Sequence, residues 1–302
     1  MLPFNPPAHY GYISPARFHA LFGALSEVCK SKGYLHWQPT EPSVLAACED
    51  PQNLLYYIEE STGRVFPLEQ TNQMWYEYQL LTMAANLQDY PGFNGLYGYT
   101  KSNRDEKNIA NRHPLRVVNK LFGMFEIEAL IDFEGYLNLQ EEILVALGVK
   151  ERHIVRISYR SACVALGRNP DLWILNDDDE KMLNEKVAPA ILLTHFPERT
   201  NPFWNMEQGG VLENGEPYYL KADLLLGGME CAGGAQRSTN KQLQLDRYYA
   251  LPGYSDTLFD KFSEKTNEEL DYYMSLNHIV RSGCGIGLSR LSEGLFRYHA
   301  KN

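Results

Sequence analysis

The sequence contains no long hydrophobic run. None of its 302 residues lies in a stretch that approaches the roughly 18 consecutive apolar residues of a membrane-spanning helix. The N-terminal segment, MLPFNPPAHYGYISPARF, lacks a basic start followed by an apolar stretch, which argues against a secretory signal. We therefore expect a cytoplasmic protein that does not enter a membrane.

Cysteine is scarce and scattered. The chain has five cysteines, with no CxxC pair and no zinc-ligand spacing. An odd number of isolated thiols does not form a disulfide framework. This pattern predicts reduced thiols in a cytoplasmic compartment.

Positive charge is also in short supply. The 28 Lys and Arg residues are outnumbered by 38 Asp and Glu residues, which gives a net charge of −10. Proteins that grip nucleic acid extensively usually present a basic face. The balance counts against extensive nucleic-acid binding, although it leaves room for a local basic patch.

The remaining patterns indicate one globular domain over residues 1–302. Ser14 and Pro15 predict a helix start, because serine caps helices well and proline suits the first helical position. The next run has helical spacing and stops at Gly33, and Asn214-Gly215 is a strong hairpin-turn signal. Strand patterns such as LFGMFEIEAL and APAILLTHFP alternate with helical ones such as TNQMWYEYQLLTMAANL. They predict an α+β fold, an antiparallel sheet flanked by helices.

Three alternating glycines stand close to the C-terminal end of the sequence. The stretch RSGCGIGLSR contains Gly283, Gly285 and Gly287, followed by Arg290. Alternating glycines leave one face of a strand without side chains, so a flat ligand or another backbone can approach that face closely. A dinucleotide fingerprint does not fit, because Leu288 stands where its third glycine belongs. Taken alone, this pattern has two interpretations. The glycines allow either tight packing between the strand and the next helix, or the close approach of a ligand to the strand.

Other stretches add the groups that a nucleoside triphosphate with magnesium needs. Arginine grips phosphate with a planar fork, carboxylates hold the metal, and an aromatic ring stacks on a base. For any single residue, solvated surface charge is the simpler interpretation, so the prediction depends on their joint occurrence. The candidates are Arg104, Glu106, Arg112, His113, Phe122, Glu126, Glu128, Asp223, Glu230 and Arg237.

On these residues the chain resembles the catalytic domain of class II aminoacyl-tRNA synthetases, in the aspartyl and asparaginyl branch. The glycine stretch is similar to the third motif of that class, in which Gly285 and Gly287 would border ATP and Arg290 would lie over adenine. RDE and RH resemble the second motif. The resemblance implies that Arg104 contacts the α-phosphate and that Glu106, like Arg104 and Arg290, is catalytic.

The same resemblance implies roles for the other candidates. Arg112 and His113 would meet the outer phosphates, and Phe122 would stack on adenine opposite Arg290. Magnesium and ATP would be held by Asp223 and Glu230. The amino-acid substrate would be bound by Gln70, Gln73, Glu126, Gly234 and Arg237, with Arg237 matching a side-chain carboxylate.

The first motif of the class resembles the helix predicted over residues 16–33 together with YLHWQP, a strand halted by Pro39. In that class the motif builds the dimer interface, so the resemblance implies a homodimer. Its position so early in the sequence leads us to expect no anticodon-binding domain. A further departure is the insertion Pro114–Lys120, which would form a lid or an acceptor-recognition loop, and a third is Ser289 in place of the usual acid.

Together these features predict a free-standing, asparagine synthetase-like ligase that uses ATP and Mg²⁺ and forms AMP. It would adenylate aspartate, or a close analogue, and pass the acyl group to ammonia, a small amine or a carrier. Two alternatives remain open. One is an aminoacyl-tRNA ligase without an anticodon domain, and the other is a non-catalytic relative of the synthetases.

Overall fold

The computed structural model of the chain describes residues 13–40, 43–45, 53–63, 65–105, 121–250 and 255–302. The strands are β1 (Tyr34–His36), β2 (Tyr56–Ile58), β3 (Val65–Pro67), β4 (Gly95–Asn103), β5 (Leu121–Ala129), β6 (Ile154–Ser158), β7 (Ala190–Pro197), β8 (Gln208–Val211), β9 (Pro217–Leu226), β10 (Glu230–Arg237) and β11 (Arg281–Gly287). The helices are α1 (Pro15–Ser31), α2 (Gln73–Ala84), α3 (Phe133–Ala146), α4 (Tyr159–Ala165), α5 (Asp177–Lys186), α6 (Lys241–Ala250), α7 (Ser255–Ser275) and α8 (Leu288–Lys301). Across these ranges, we find no helix with both the length and the apolar character needed to cross a bilayer.

One large sheet organises the described residues. Its strands run in the order β1-β4-β5-β11-β10-β9-β7-β6, and β8 pairs with β9. The two outermost pairs, β1 with β4 and β6 with β7, are parallel, while the pairs between them are antiparallel. The predicted α+β class with a mainly antiparallel sheet is confirmed.

Helices cover the sheet unequally. The main hydrophobic core joins α1, α3 and α8 to the central strands through side chains such as Leu25, Leu144 and Leu291. A second core joins α2, α6 and α7 around Trp204 and Tyr273. Since α2 contacts β4, β5 and β11, it shields only part of the sheet, and a cleft lies beside it.

Several predicted boundaries are confirmed. The Oγ atom of Ser14 accepts a hydrogen bond from the Arg17 amide, and Pro15 opens α1. The Asn214-Gly215 turn separates β8 from β9, with Gly215 at φ 86°. Because β11 passes directly into α8, Arg290 stands in the first turn of this helix, as the glycine stretch predicts.

Other boundaries differ from the sequence patterns. β1 ends at His36 rather than at Pro39. The sequence patterns do not predict β4, whose glycines weaken its strand signal. A Cβ on Gly98 would lie 2.4 Å from the Trp37 carbonyl oxygen. Close approach of the β1 end therefore explains this glycine.

Candidate active site

Glycines on two neighbouring strands form a bare floor in the middle of the sheet. Gly233 of β10 is paired with Gly285 of β11. On one side Gly285 is paired with Glu126 of β5, and on the other Gly233 is paired with Asp223 of β9. Three strand-to-strand steps of about 4.8 Å separate the two acids, so the floor spans roughly 14 Å. The alternating glycines thus make a ligand-sized gap between carboxylates.

A cleft opens over this floor. It encloses ≈ 990 Å³ of space between atoms, a volume that includes part of the open solvent above the floor. The predicted site residues that line it are Gln73, Arg104, Glu126, Asp223, Glu230, Gly234, Arg237, Gly285 and Arg290. The structure therefore brings together side chains and backbone from stretches far apart in the sequence.

Two of the lining carboxylates converge above Gly233. A Cβ built on this glycine would lie 3.0 Å from Asp223 Oδ1 and 3.5 Å from Glu230 Oε1. Magnesium in phosphate-transfer sites is commonly held by one or two carboxylates together with substrate phosphates. The pair fits such an ion. Because Gly233 has no Cβ, the two carboxylate oxygens can approach the same point.

Cations accompany both acids. The Nζ atom of Lys221 lies 2.7 Å from Asp223 Oδ2, and Arg290 Nη1 lies 3.5 Å from Glu230 Oε2. These contacts balance the carboxylates when no metal is bound. They also place two positive groups beside the two carboxylates at this end of the floor.

Arg104 lines the end of the cleft at which the motif resemblance predicts the nucleotide. Its guanidinium carbon lies 5.6 Å from the ring centroid of Phe122, and its Nε atom donates to Ser102 Oγ at 3.3 Å. Phe122 itself is not among the residues that line the cleft. Gly287 is not among them either, but its missing Cβ makes room for Arg290, whose Nε atom would be 3.3 Å away.

The other end of the cleft is built around Arg237, whose side chain is 2% exposed. Its Nε and Nη2 atoms donate to the carboxylate of Glu128 at 3.3 and 3.1 Å. Nη2 also donates to Gln73 Oε1 at 3.0 Å, and Glu77 Oε1 lies 3.5 Å from Nε. The predicted partner of the substrate side chain is therefore already engaged by two glutamates of the protein.

A second buried ion pair supports this end. The Nη2 and Nε atoms of Arg281 lie 2.5 and 3.1 Å from Glu77 Oε2. Tyr273 and Asn205 each donate to Glu77 at 2.8 Å. Burial disfavours the charged glutamate, but Arg281 and Arg237 outweigh it and hold the pKa of Glu77 below its ordinary value.

Glu126 is fully buried at the edge of the floor. Its carboxylate accepts hydrogen bonds from the hydroxyls of Thr71 and Thr100 and from the Asn72 amide at 2.8 Å. These donors fix the carboxylate at the cleft wall, where it can face a cationic group such as the ammonium of an amino acid.

Two of the predicted amino-acid ligands contribute no side chain to the cleft. Gln70 is buried outside the cleft lining, and its Nε2 atom donates to the Asn53 carbonyl oxygen at 3.4 Å. A Cβ on Gly234 would lie 2.5 Å from the Tyr136 hydroxyl, against α3. Gly234 thus offers backbone to the cleft, and its lack of a side chain serves packing on the opposite face.

Some site residues were missed or cannot be located. Glu77, Lys221 and Arg281 were not predicted, although Glu77 follows Gln73 by one helical turn and Lys221 shares a strand face with Asp223. Four further predicted features lie outside the described residues: Glu106, Arg112, His113 and the insertion Pro114–Lys120. Their roles stay predictions.

Comparison with known proteins supports the resemblance drawn from the sequence motifs. A family model described as "tRNA synthetases class II (D, K and N)" matches residues 54–299. A comparison with curated protein sequences gives no significant match.

Solved structures match over most of the chain. Asparaginyl-tRNA synthetase from Pyrococcus horikoshii, complexed with asparaginyl-adenylate, has a TM-score of 0.68 at 20% identity over 93% of this chain and 64% of that one. The Entamoeba histolytica asparaginyl-tRNA synthetase complexed with asparaginyl-adenylate has a TM-score of 0.68 at 17% identity, over 93% and 63%. The aspartyl enzyme of that organism has a TM-score of 0.63 at 17% identity, over 93% and 54%. At these identities the likeness establishes the fold, and the chain spans less than two thirds of these proteins.

Proposed function

Because the chain belongs to the class II tRNA synthetases of the aspartate, lysine and asparagine group, we propose that it is an ATP-dependent, AMP-forming ligase. In this proposal it adenylates aspartate or a close analogue and passes the acyl group to ammonia, a small amine or a carrier. The observation that carries the proposal is the glycine floor at Gly233 and Gly285, with acids at both edges and Arg104, Arg237 and Arg290 around it.

The proposed chemistry needs no protein nucleophile. The carboxylate of the amino acid attacks the α-phosphorus of ATP, an acyl–phosphate bond forms, and pyrophosphate leaves. Arg104 stabilises the negative charge that develops on the α-phosphate, since a guanidinium fork matches phosphate oxygens. Glu126 orients the amino acid through its ammonium group, which brings the reacting atoms together. Bound Mg²⁺, held by Asp223 and Glu230, would supply further positive charge to the phosphates.

A small acceptor is supported by the charge of the chain. Its net charge is −10, whereas docking of intact tRNA usually needs an extended positive surface. Ammonia or a small amine needs only an opening to the activated carbonyl. Transfer to tRNA is the alternative, favoured by the tRNA synthetases among the structural neighbours. As part of the same proposal, α1 and β1 would join two copies in a homodimer.

The test measures activation and transfer separately. ATP–pyrophosphate exchange is followed with each common amino acid, and the expected result is exchange that depends on aspartate or asparagine. The acceptor is then identified by following AMP and acylated products with ammonia, hydroxylamine or total tRNA. Absence of exchange with every amino acid would refute the ligase. Efficient charging of tRNA without turnover on any small amine would replace the small acceptor with tRNA.

A further inference from the structure

Four buried charges meet at the amino-acid end of the cleft. Glu77, Glu128, Arg237 and Arg281 have side chains that are 1%, 0%, 2% and 0% exposed. With both acids ionised the four charges cancel. An additional carboxylate brought among them by a substrate would leave one buried negative charge without a counterpart, which is costly in such surroundings.

The fork of Arg237 is occupied by Glu128. The two hydrogen bonds from Nε and Nη2, at 3.3 and 3.1 Å, use one complete edge of the guanidinium. Within the ranges that the structure describes, Nη1 makes no hydrogen bond. A substrate oxygen can therefore reach Arg237 at a single nitrogen, which suits an amide oxygen better than a carboxylate that seeks two donors.

The backbone is shaped to keep Glu128 in this position. Gly283 of β11 is paired with Glu128, and a Cβ on this glycine would lie 1.6 Å from Glu128 Oε2. The carboxylate thus lies across bare backbone on its way to Arg237. Any side chain at position 283 would push it away.

We propose that Glu128 is a specificity-determining residue of the side-chain subsite, so that an amino acid with a side-chain carboxylate binds only together with a proton, whereas one with a side-chain amide binds without a proton. The inference rests on the proposed function, because it assumes that the cleft takes an amino acid of the aspartate or asparagine type. In the carboxylate case, Glu128 receives the proton from solvent and Arg237 pairs with the substrate.

The surroundings decide which of the two glutamates takes the proton. Glu77 accepts from Arg281, Tyr273 and Asn205, so protonating it would sacrifice several hydrogen bonds. The hydrogen bonds that Glu128 accepts in the described part of the chain come from Arg237 alone. Protonation of Glu128 therefore sacrifices fewer hydrogen bonds than protonation of Glu77.

The electrostatics favour the same assignment. Burial raises the pKa of Glu128 to about 7, with Arg237 opposing the change and Glu77 adding to it. Arg281 also faces it and favours ionisation. Cys284, on the adjacent strand, has a pKa raised to about 12 by its burial and by Glu128, so it stays a neutral thiol near pH 7.

The first test uses the wild-type chain. Dissociation constants for L-aspartate and L-asparagine are measured by calorimetry between pH 6 and pH 9, with a non-hydrolysable ATP analogue and Mg²⁺ present. The aspartate-to-asparagine ratio of these constants should be flat below about pH 7 and rise by up to about tenfold per pH unit above it, because one proton is linked to aspartate binding. Buffers of different ionisation enthalpy should show proton uptake with aspartate and none with asparagine at pH 8. A flat ratio together with equal proton uptake would overturn the inference.

A variant assigns the proton to its site. Glu128→Gln keeps the shape of the side chain and removes its charge, so the ratio should become independent of pH. At pH 9 it should fall by up to about a hundredfold relative to wild type, two units above the midpoint. Glu142→Gln, which alters an exposed glutamate paired with Lys32, should leave the pH dependence unchanged. If the ratio in Glu128→Gln rises with pH as steeply as in wild type, another group carries the proton.

The outcomes separate the inference from the proposed function. Exchange with aspartate or asparagine, combined with a flat ratio, would refute the role of Glu128 and retain the ligase. Exchange only with other amino acids would refute both the role of Glu128 and the assumed substrate class, while retaining amino-acid activation. If Glu128→Gln fails to fold, the proton uptake of the wild-type chain still decides the question.

Discussion

At the scale of single residues, the arginines around the cleft differ in their surroundings. Arg237 and Arg281 are buried in ion pairs with Glu128 and Glu77. Arg104 instead lies beside Phe122 and donates to Ser102. The buried arginines therefore shape a pocket, whereas the motif resemblance assigns Arg104 to phosphate, a role that stays a prediction.

Replacing Arg104 with alanine should nearly abolish activation. The developing charge on the α-phosphate would lose its matching donor, and removal of one such donor typically costs about 10²–10³ in kcat. Arg104→Lys should be intermediate, because it keeps the charge but loses the planar fork. ATP–pyrophosphate exchange is the measurement, with the exposed Arg152→Ala as a control. Near-normal exchange by Arg104→Ala would contradict the assigned role.

At the scale of secondary structure elements, the site is produced by register. β5, β11, β10 and β9 bring an acid, two glycines and an acid into one row across the sheet. Because side chains on a strand alternate, a slip of one residue in any of these strands would turn its row member to the opposite face. Because the glycines of this row have no side chains, the neighbouring carboxylates have room above them.

Gly233→Ala should weaken magnesium binding while leaving the fold intact. The new methyl would stand 3.0 Å from Asp223 Oδ1 and 3.5 Å from Glu230 Oε1, where side-chain ends can give way. We expect the apparent affinity for Mg²⁺ in the exchange reaction to fall by about 10–100-fold, as for other disturbances beside a metal site. Gly23→Ala makes the same chemical change where nothing lies within 4 Å. An unchanged magnesium dependence in Gly233→Ala would argue against metal binding by this pair.

Sequence patterns predicted α1, α2, β5 and β11 because their caps and periodicities are local. They did not predict β4, in which Gly98 is required by the close approach of the end of β1. The motif resemblance predicted that the candidate site residues cluster. It did not predict the residues with which they form hydrogen bonds and ion pairs. Glu77 and Arg281 are 204 positions apart, and only the folded sheet shows that they meet. Sequence alone therefore predicted that Arg237 meets a substrate carboxylate, but it did not predict the two glutamates with which Arg237 is paired in the structure.

At the scale of the whole molecule, one edge of the described sheet carries exposed apolar side chains. β1 is the terminal strand, and its pairing in the described residues is with β4. Leu35 of β1 is 47% exposed and Phe18 of the adjacent α1 is 36% exposed. Exposed edges invite pairing, and apolar groups on them favour burial in an interface.

We therefore expect a homodimer formed through α1 and β1. Sedimentation at micromolar concentration should give twice the monomer mass of 34.6 kDa. Leu35→Glu should shift the equilibrium toward monomer, because a buried unpaired carboxylate opposes association. Val164→Glu alters a more exposed apolar residue of α4, away from this edge, and should leave the dimer intact. A wild-type chain that sediments as a monomer would show that this edge is not an interface, and equal weakening by both variants would show that Leu35 does not mark one.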